Sequence, residues 1–351
     1  MKMELQDRVQ DLLDRAVEQG LECGCQAAVY IDGKLEVNAY AGWTDWSKSR
    51  PVDENTLFPV YSTGKAPCST SFHRLVEDGL VDYDTEVREF WPEFACNGKE
   101  SMTVRHILSY RGGLYIQPKS TLKELADFKL MTERMAMAAP AHKIGEFQRY
   151  HPMTYGWLVA GMICHLLNDF DYPAIFRKLV GKPAKMDHFH YGATLQELEN
   201  SAMMVPSQDG RFYDRDGLDF LNTLEARTCC NPASCAMSNA LSIANHYHAL
   251  DQGMLLAPET IANATQPCRD ANDPFEFKAG NWVLFGLGYM LSGPKSDPGQ
   301  IFGHGGWSGA EGLLDRKKHM AIGLTRNLFA DPNAARDNAL FKALGFSQRD
   351  W

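Results

Sequence analysis

Leu57-Phe58-Pro59-Val60-Tyr61-Ser62-Thr63-Gly64-Lys65, with Thr70-Ser71-Phe72-His73-Arg74-Leu75-Val76 close behind, is the stretch on which the reading of this chain turns. An apolar approach enters a segment with helical spacing, and a serine and a lysine three positions apart stand at the junction. If a helix opens there, Ser62 and Lys65 lie one turn apart on a shared face. Burial penalises the ammonium form of a lysine, so a lysine packed into that helix loses its proton more readily. The free amine can then accept the serine proton, giving a nucleophilic serine that needs no histidine. Taken alone, the four residues Ser62-Thr63-Gly64-Lys65 fit a plainer reading better: an ordinary helix start with Ser62 as N-cap.

The composition suits a globular protein. The 351 residues are 44% hydrophobic and 23% charged, enough for one large or two moderate domains with a sizeable core. The net charge is −9, with no basic run or basic-aromatic stripe, which argues against nucleic acid as a partner. No apolar stretch reaches the length of a membrane span. Met1 to Gly20 places Leu5, Val9, Leu12, Leu13, Ala16 and Val17 at helical spacing. It lacks the apolar core and cleavage site of a signal peptide, so a cytoplasmic location is the expectation.

The nine cysteines form no C-x-x-C pair and no framework, which fits reduced thiols. His188-Phe189-His190 and His246-Tyr247-His248 lack nearby carboxylates in a ligand pattern, so neither reads as a metal site. No cofactor is expected.

Three blocks follow along the chain. Gln26–Tyr30 and Leu35–Tyr40 flank Ile31-Asp32-Gly33-Lys34, a hairpin signal. The middle block reads as helical, with examples at Leu122–Ala139, Thr154–Leu167 and Ala236–Gly253. The last block returns to strands at Trp282–Leu291, Ile301–Gly303, Gly312–Asp315 and Met320–Arg326, with a final helix over Asn333–Leu344. Strands at both ends predict one antiparallel sheet built from both termini and flanked by terminal helices, an α/β (α+β) fold with the helical block inserted as a second lobe. The expected boundaries are 1–61 plus 268–351 for the sheet domain and 62–267 for the helical one, with the active site between them.

Two further motifs sit in this frame. In Arg149-Tyr150-His151-Pro152, a polar turn opens the apolar helix at Thr154. Tyr150 there either projects its phenol into a cleft or anchors the helix as a buried aromatic. In Phe302-Gly303-His304-Gly305-Gly306-Trp307-Ser308-Gly309, dense glycines admit a close backbone or ligand approach. The same residues also fit an irregular edge strand or tight turn.

Taken together, S-x-x-K, then Tyr150, then His-Gly-Gly, the chain resembles the penicillin-recognising serine hydrolases: class C β-lactamases, D-alanyl-D-alanine peptidases and their esterase relatives. The resemblance runs most of its length. It includes Thr56-Leu57-Phe58, Leu75–Val81, Phe90-Trp91-Pro92-Glu93-Phe94, Thr103–Leu114 (close to a segment that usually ends "HTSGL"), Phe302–Gly306 and Asn327. It implies the β-lactamase/transpeptidase-like fold, Ser62 as acyl-accepting nucleophile, Lys65 as its activator and Tyr150 as the group relaying a proton to the leaving group. It also implies an oxyanion hole from the backbone N–H groups of Ser62 and Trp307, beside the substrate-binding stretch His304, Gly305 and Gly306.

The departures bear on substrate. Class C β-lactamases carry Tyr-x-Asn where this chain has Pro152, which offers no side-chain donor. They carry Lys-Thr-Gly where this chain has His304, largely neutral near pH 7. The ranking is therefore a carboxylesterase for small acyl esters first, and a β-lactamase or D-alanyl-D-alanine peptidase second. An acyltransferase comes third, and a non-catalytic binding protein is the alternative of another class. The expected partner is a small-molecule ester or amide. Trp307, Tyr110, Tyr115, Phe212 and Tyr213 are the aromatic candidates for the pocket wall.

Overall fold

The computed structural model describes residues 4–207, 215–269, 273, 284–307 and 309–329. Helix α1 (Leu5–Glu18) buries Val9 and Leu13, four positions apart on one face. Strands β1 (Gly24–Ile31) and β2 (Lys34–Gly42) then pair antiparallel, with Ile31 opposite Lys34. The two residues between them, Asp32 and Gly33, have φ of 49° and 79°. That is the two-residue turn Asp-Gly favours, because its twist matches that of the strands it joins.

The other five strands of the sheet come from the far end of the chain: β3 (Leu284–Phe285), β4 (Met290–Leu291), β5 (Ile301–Gly305), β6 (Glu311–Asp315) and β7 (Met320–Arg326). The order is β2-β1-β7-β6-β5-β4-β3, every pair antiparallel. One antiparallel sheet thus draws on both ends of the sequence, the arrangement the strand pattern predicts.

Helices α2 (Lys65–Glu77), α3 (Thr154–Leu167) and α4 (Ala240–Asp251) lie between. Side chains of β1 alternate: Ala27 and Val29 join Val9 and Leu13 of α1 on one face, while Ala28 meets Ala240 and Ala244 of α4 on the other. The approach of α4 is close. A Cβ on Gly323 of β7 would stand 2.1 Å from the Ala240 carbonyl oxygen.

Some elements differ from the expectation. Leu122–Ala139 is two helices, Leu122–Ala126 and Phe128–Met137. Asp127 between them leaves helical geometry (ψ 96°) and accepts the Leu130 N–H as a cap. The helix expected from Ala236 begins at Ala240. Met237–Ser238 instead pairs as a strand with Phe58–Pro59, and Asn239 caps the helix by accepting the Ser242 N–H. The expected strand Trp282–Leu291 is the β3–β4 hairpin, with Trp282 outside the described residues. The helix expected over Asn333–Leu344 also lies outside them.

α2 is polar in sequence yet buried nearly all round. Each hydroxyl there has a partner, which makes its burial tolerable. Ser69, Thr70 and Ser71 donate to the carbonyls of Lys65, Ala66 and Pro67 one turn back. Across the interface, Ser69 meets the Tyr155 hydroxyl of α3, and Thr70 meets His246 Nε2 and the Tyr289 hydroxyl. Among the described residues no helix is long and apolar enough to cross a membrane, and no cluster of His, Cys, Asp and Glu could hold a metal.

Candidate active site

A single 3-10 turn, Tyr61–Gly64, runs straight into α2. Ser62 is not an N-cap, since neither helical segment has a side-chain capping bond at its start. Tyr61, the residue before it, has φ of 50°. The left-handed conformation costs an L-residue about 1–2 kcal/mol, and it bends the chain just before Ser62.

The Ser62 hydroxyl sits at the centre of a small cluster. Lys65 Nζ lies 2.8 Å from Ser62 Oγ, and the Tyr150 hydroxyl donates to the same oxygen at 3.0 Å. The Ala233 carbonyl is 3.3 Å from Ser62 Oγ. Lys65 is 0% exposed, and its Nζ also donates to the carbonyls of Pro152 (2.7 Å) and Ala233 (2.8 Å).

These contacts determine what the lysine can do. Two of its three neighbours are carbonyls, which only accept, so two N–H bonds are committed to them. The remaining tetrahedral position points at Ser62 Oγ. Burial pushes Lys65 well below its usual pKa. The neighbouring Cys68 and Cys235 oppose that shift without overcoming it. A neutral amine would donate to the two carbonyls and aim its lone pair at the Ser62 proton.

Tyr150 lies in the loop before α3, as the sequence predicts. It is partly buried between Tyr110 (ring centroids 5.4 Å) and Phe285 (5.3 Å, nearly parallel), with Lys65 Nζ 4.9 Å from its ring centre. Desolvation raises its phenol above the usual range, so it holds its proton near neutral pH.

His304 and Gly305 close strand β5, and Gly306 follows. Loop and turn interlock: Thr63 donates to the Ala310 carbonyl at 3.2 Å, and a Cβ on Gly306 would stand 2.2 Å from the Val60 carbonyl oxygen. Nothing lies within 4 Å of a Cβ built on Gly305. Trp307 is 38% exposed, its ring edge-on to Tyr61 at 6.0 Å. His304 is buried, its ring 5.9 Å from that of Tyr150, and burial pulls its pKa down to about 3. Its Nδ1 meets the Gly305 carbonyl at 2.8 Å, so Nδ1 carries the proton. Nε2 is then an acceptor, with no hydrogen-bond partner among the described residues.

The structure thus brings Ser62, Lys65, Tyr150 and His304 into one cluster. Of the aromatic candidates, Tyr110 is buried behind Tyr150, and Tyr115 stacks under the Arg149 guanidinium (4.1 Å). Phe212 and Tyr213 lie outside the described residues. Asn327 is structural. It accepts the Gly24 N–H at 2.8 Å and donates to the Trp43 carbonyl at 3.1 Å.

Sequence reading missed the residues that hold Lys65. Asn231 donates to the Met153 carbonyl (3.2 Å) and accepts the Ala233 N–H (3.0 Å). It thereby fixes both segments whose carbonyls take the lysine protons. The one available signal was the small residue Gly156 in α3. A Cβ there would stand 2.0 Å from Asn231 Oδ1 and 2.5 Å from Ala233 N. Gly156→Ala should therefore displace the Ala233 carbonyl. The expected result is at least a roughly tenfold loss of hydrolysis, since displacing a catalytic group by about 1 Å can cost about a hundredfold. A loss of about 1–3 kcal/mol in stability should accompany it. Initial rates and a thermal melt check this, and wild-type turnover would show that the carbonyl need not stay in place.

Comparison with known proteins gives consistent matches. The Beta-lactamase family profile matches residues 10–345. The chain is 28% identical over 357 residues to the Esterase/beta-lactamase LipL of Mycobacterium tuberculosis, spanning 91% of this chain and 80% of that protein. It superposes on the crystal structure of a family VIII carboxylesterase with a TM-score of 0.82 and 25% identity, covering 96% of each chain. A penicillin-binding protein homolog from Caulobacter crescentus superposes with a TM-score of 0.80 and 25% identity, over 97% of this chain and 96% of that one.

Proposed function

The chain belongs to the Beta-lactamase family and is a serine hydrolase, and from that premise we propose that it is a carboxylesterase for small acyl esters, with Ser62 as nucleophile. One observation carries the preference for esters: the imidazole beside Tyr150, His304, is buried and held neutral. Where β-lactam recognition draws on a fixed cation, this site has an uncharged ring. Pro152 likewise offers no side-chain amide. Its carbonyl takes a Lys65 proton instead. The likeness to the family VIII carboxylesterase supports the same reading.

In this mechanism Lys65 Nζ takes the Ser62 proton as Oγ bonds to the ester carbonyl carbon. The carbonyl oxygen becomes an oxyanion, held by the backbone N–H groups of Ser62 and Trp307, each worth about 2.7–4 kcal/mol. As the intermediate collapses, the carbon–oxygen ester bond breaks. Tyr150 gives its phenolic proton to the leaving alkoxide and recovers one from the Lys65 ammonium, which restores both groups. Water then attacks the acyl-serine, losing its proton to the same pair, and Ser62 leaves with its hydroxyl restored.

The test is kcat/KM for p-nitrophenyl acetate or butyrate against nitrocefin. A charge-assisted hydrogen bond contributes about 1.5–3 kcal/mol, or about one to two orders of magnitude in rate. The ester value should exceed the nitrocefin value by at least about tenfold. The relative named for both activities keeps the β-lactamase reading in play, and a nitrocefin value equal to or above the ester value would favour it. A two-lobe division at 62–267 belongs to the same proposal, with the cluster at the seam between the β5 end and the start of α2.

A further inference from the structure

We propose that Arg111 is a positioning residue for Tyr150, acting through an ion pair with Asp273 that ties three segments into one frame. Arg111 lies in the loop after the short helix Val104–Leu108. Its Nη1 bonds Asp273 Oδ2 at 2.8 Å and the Cys268 carbonyl at 3.0 Å. Its Nε and Nη2 bond the Gly145 carbonyl at 3.2 and 2.9 Å. Asp273 spends its other oxygen on the Gln148 N–H at 3.3 Å, and both side chains are largely buried, 12% and 2% exposed.

The held residues lead directly into the site. The Gly145–Gln148 stretch precedes Tyr150. Arg149 N–H donates to the Tyr110 carbonyl at 2.9 Å, and Gln148 Nε2 reaches the Ser109 carbonyl at 2.9 Å. Gln148 Nε2 also approaches the Phe285 carbonyl at 3.4 Å, and the Phe285 ring is the one stacked on Tyr150. One guanidinium thus fixes the loop that carries the phenol, while Tyr110 and Phe285 flank its ring. The described hydrogen bonds of Arg111 go to Asp273, Cys268, Gly145 and Glu146 rather than to Ser62 or Lys65. Its effect must come through where the Tyr150 hydroxyl stands.

This inference rests on Tyr150 acting as a proton donor at Ser62, so the test reads the serine directly and needs no known substrate. The rate of labelling by a fluorophosphonate probe is measured for Arg111→Lys and Asp273→Asn, each in the parent and in a Tyr150→Phe background. Lysine keeps the charge but loses the fork that spans two carbonyls and a carboxylate. Asparagine keeps the shape and one acceptor.

Arg111→Lys should slow labelling about tenfold in the parent background and less than twofold when Tyr150 is already phenylalanine. Asp273→Asn should slow it about threefold, again only with Tyr150 present. With p-nitrophenyl butyrate, kcat should fall by the same factors with KM nearly unchanged. Equal losses in both backgrounds, or unchanged labelling in both variants, would overturn the proposal. If Arg111→Lys does not fold, Asp273→Asn decides alone. A parent protein that labels at Ser62 but hydrolyses no ester would count against the esterase reading and leave the Arg111 result standing.

Discussion

Ser62→Ala should lower ester hydrolysis by at least about a thousandfold and abolish fluorophosphonate labelling, with little change in stability. Removing the nucleophile of a serine hydrolase can cost about 10⁶ in kcat, because the remaining groups have nothing to activate. The stability change is argued from the local bonds. Ser62 caps no helix, so the roughly 1 kcal/mol that an N-cap contributes is not at stake. What is lost is a hydroxyl holding contacts to Lys65, Tyr150 and the Ala233 carbonyl. Lys65 keeps its bonds to the Pro152 and Ala233 carbonyls after the change. A net hydrogen bond is worth about 0.5–1.5 kcal/mol, so the melting temperature should move by a few degrees at most. Intact-mass measurement on the parent should find one adduct, and peptide mapping should place it on Ser62. An alanine variant with parental turnover would sink the assignment.

The parts of this candidate site that declare themselves in sequence are side chains. Ser62 and Lys65 are legible because a three-residue spacing is a helical turn, and Tyr150 because a loop precedes an evident apolar helix. The sheet is legible for a related reason. Period-two runs sit at both ends of the chain, and Asp-Gly marks the hairpin between β1 and β2. What stayed hidden acts through the backbone. The Pro152 and Ala233 carbonyls receive the Lys65 protons, and any residue type can supply a carbonyl. Asn231 orders both segments from 166 residues beyond Lys65, and no local pattern encodes that reach. Boundaries were lost where a polar side chain diverted the chain. Asp127 and Asn239 each cap a helix that hydrophobic spacing alone would extend backwards. His190 faces the Glu197 carboxylate at 3.0 Å, a partner seven positions on that the spacing of the histidines did not reveal.

Lys65→Ala and Tyr150→Phe should each slow acylation by about a hundredfold or more, and the double variant should be little worse than the worse single one. The two groups share one oxygen, Ser62 Oγ, and in the proposed mechanism one proton circuit. Breaking it at either point stops the same transfer, and residues that act as a unit are far from additive. The protonation states assign direction. Tyr150 is raised by burial and stays a phenol, so it begins the cycle as donor. Lys65 is lowered by burial, which favours the amine and with it the acceptor role. The competent lysine is the amine, and acylation should therefore fall as pH drops through the Lys65 pKa, which lies well below 10.5. Stability follows the same sign. Between that pKa and 10.5 the unfolded chain binds the extra proton, so this group favours the folded state more as pH rises. The acid limb of single-turnover acylation should be present in the parent and in Tyr150→Phe, and absent from Lys65→Ala. If the limb survives in Lys65→Ala, or if the two losses simply multiply, then Lys65 and Tyr150 work separately.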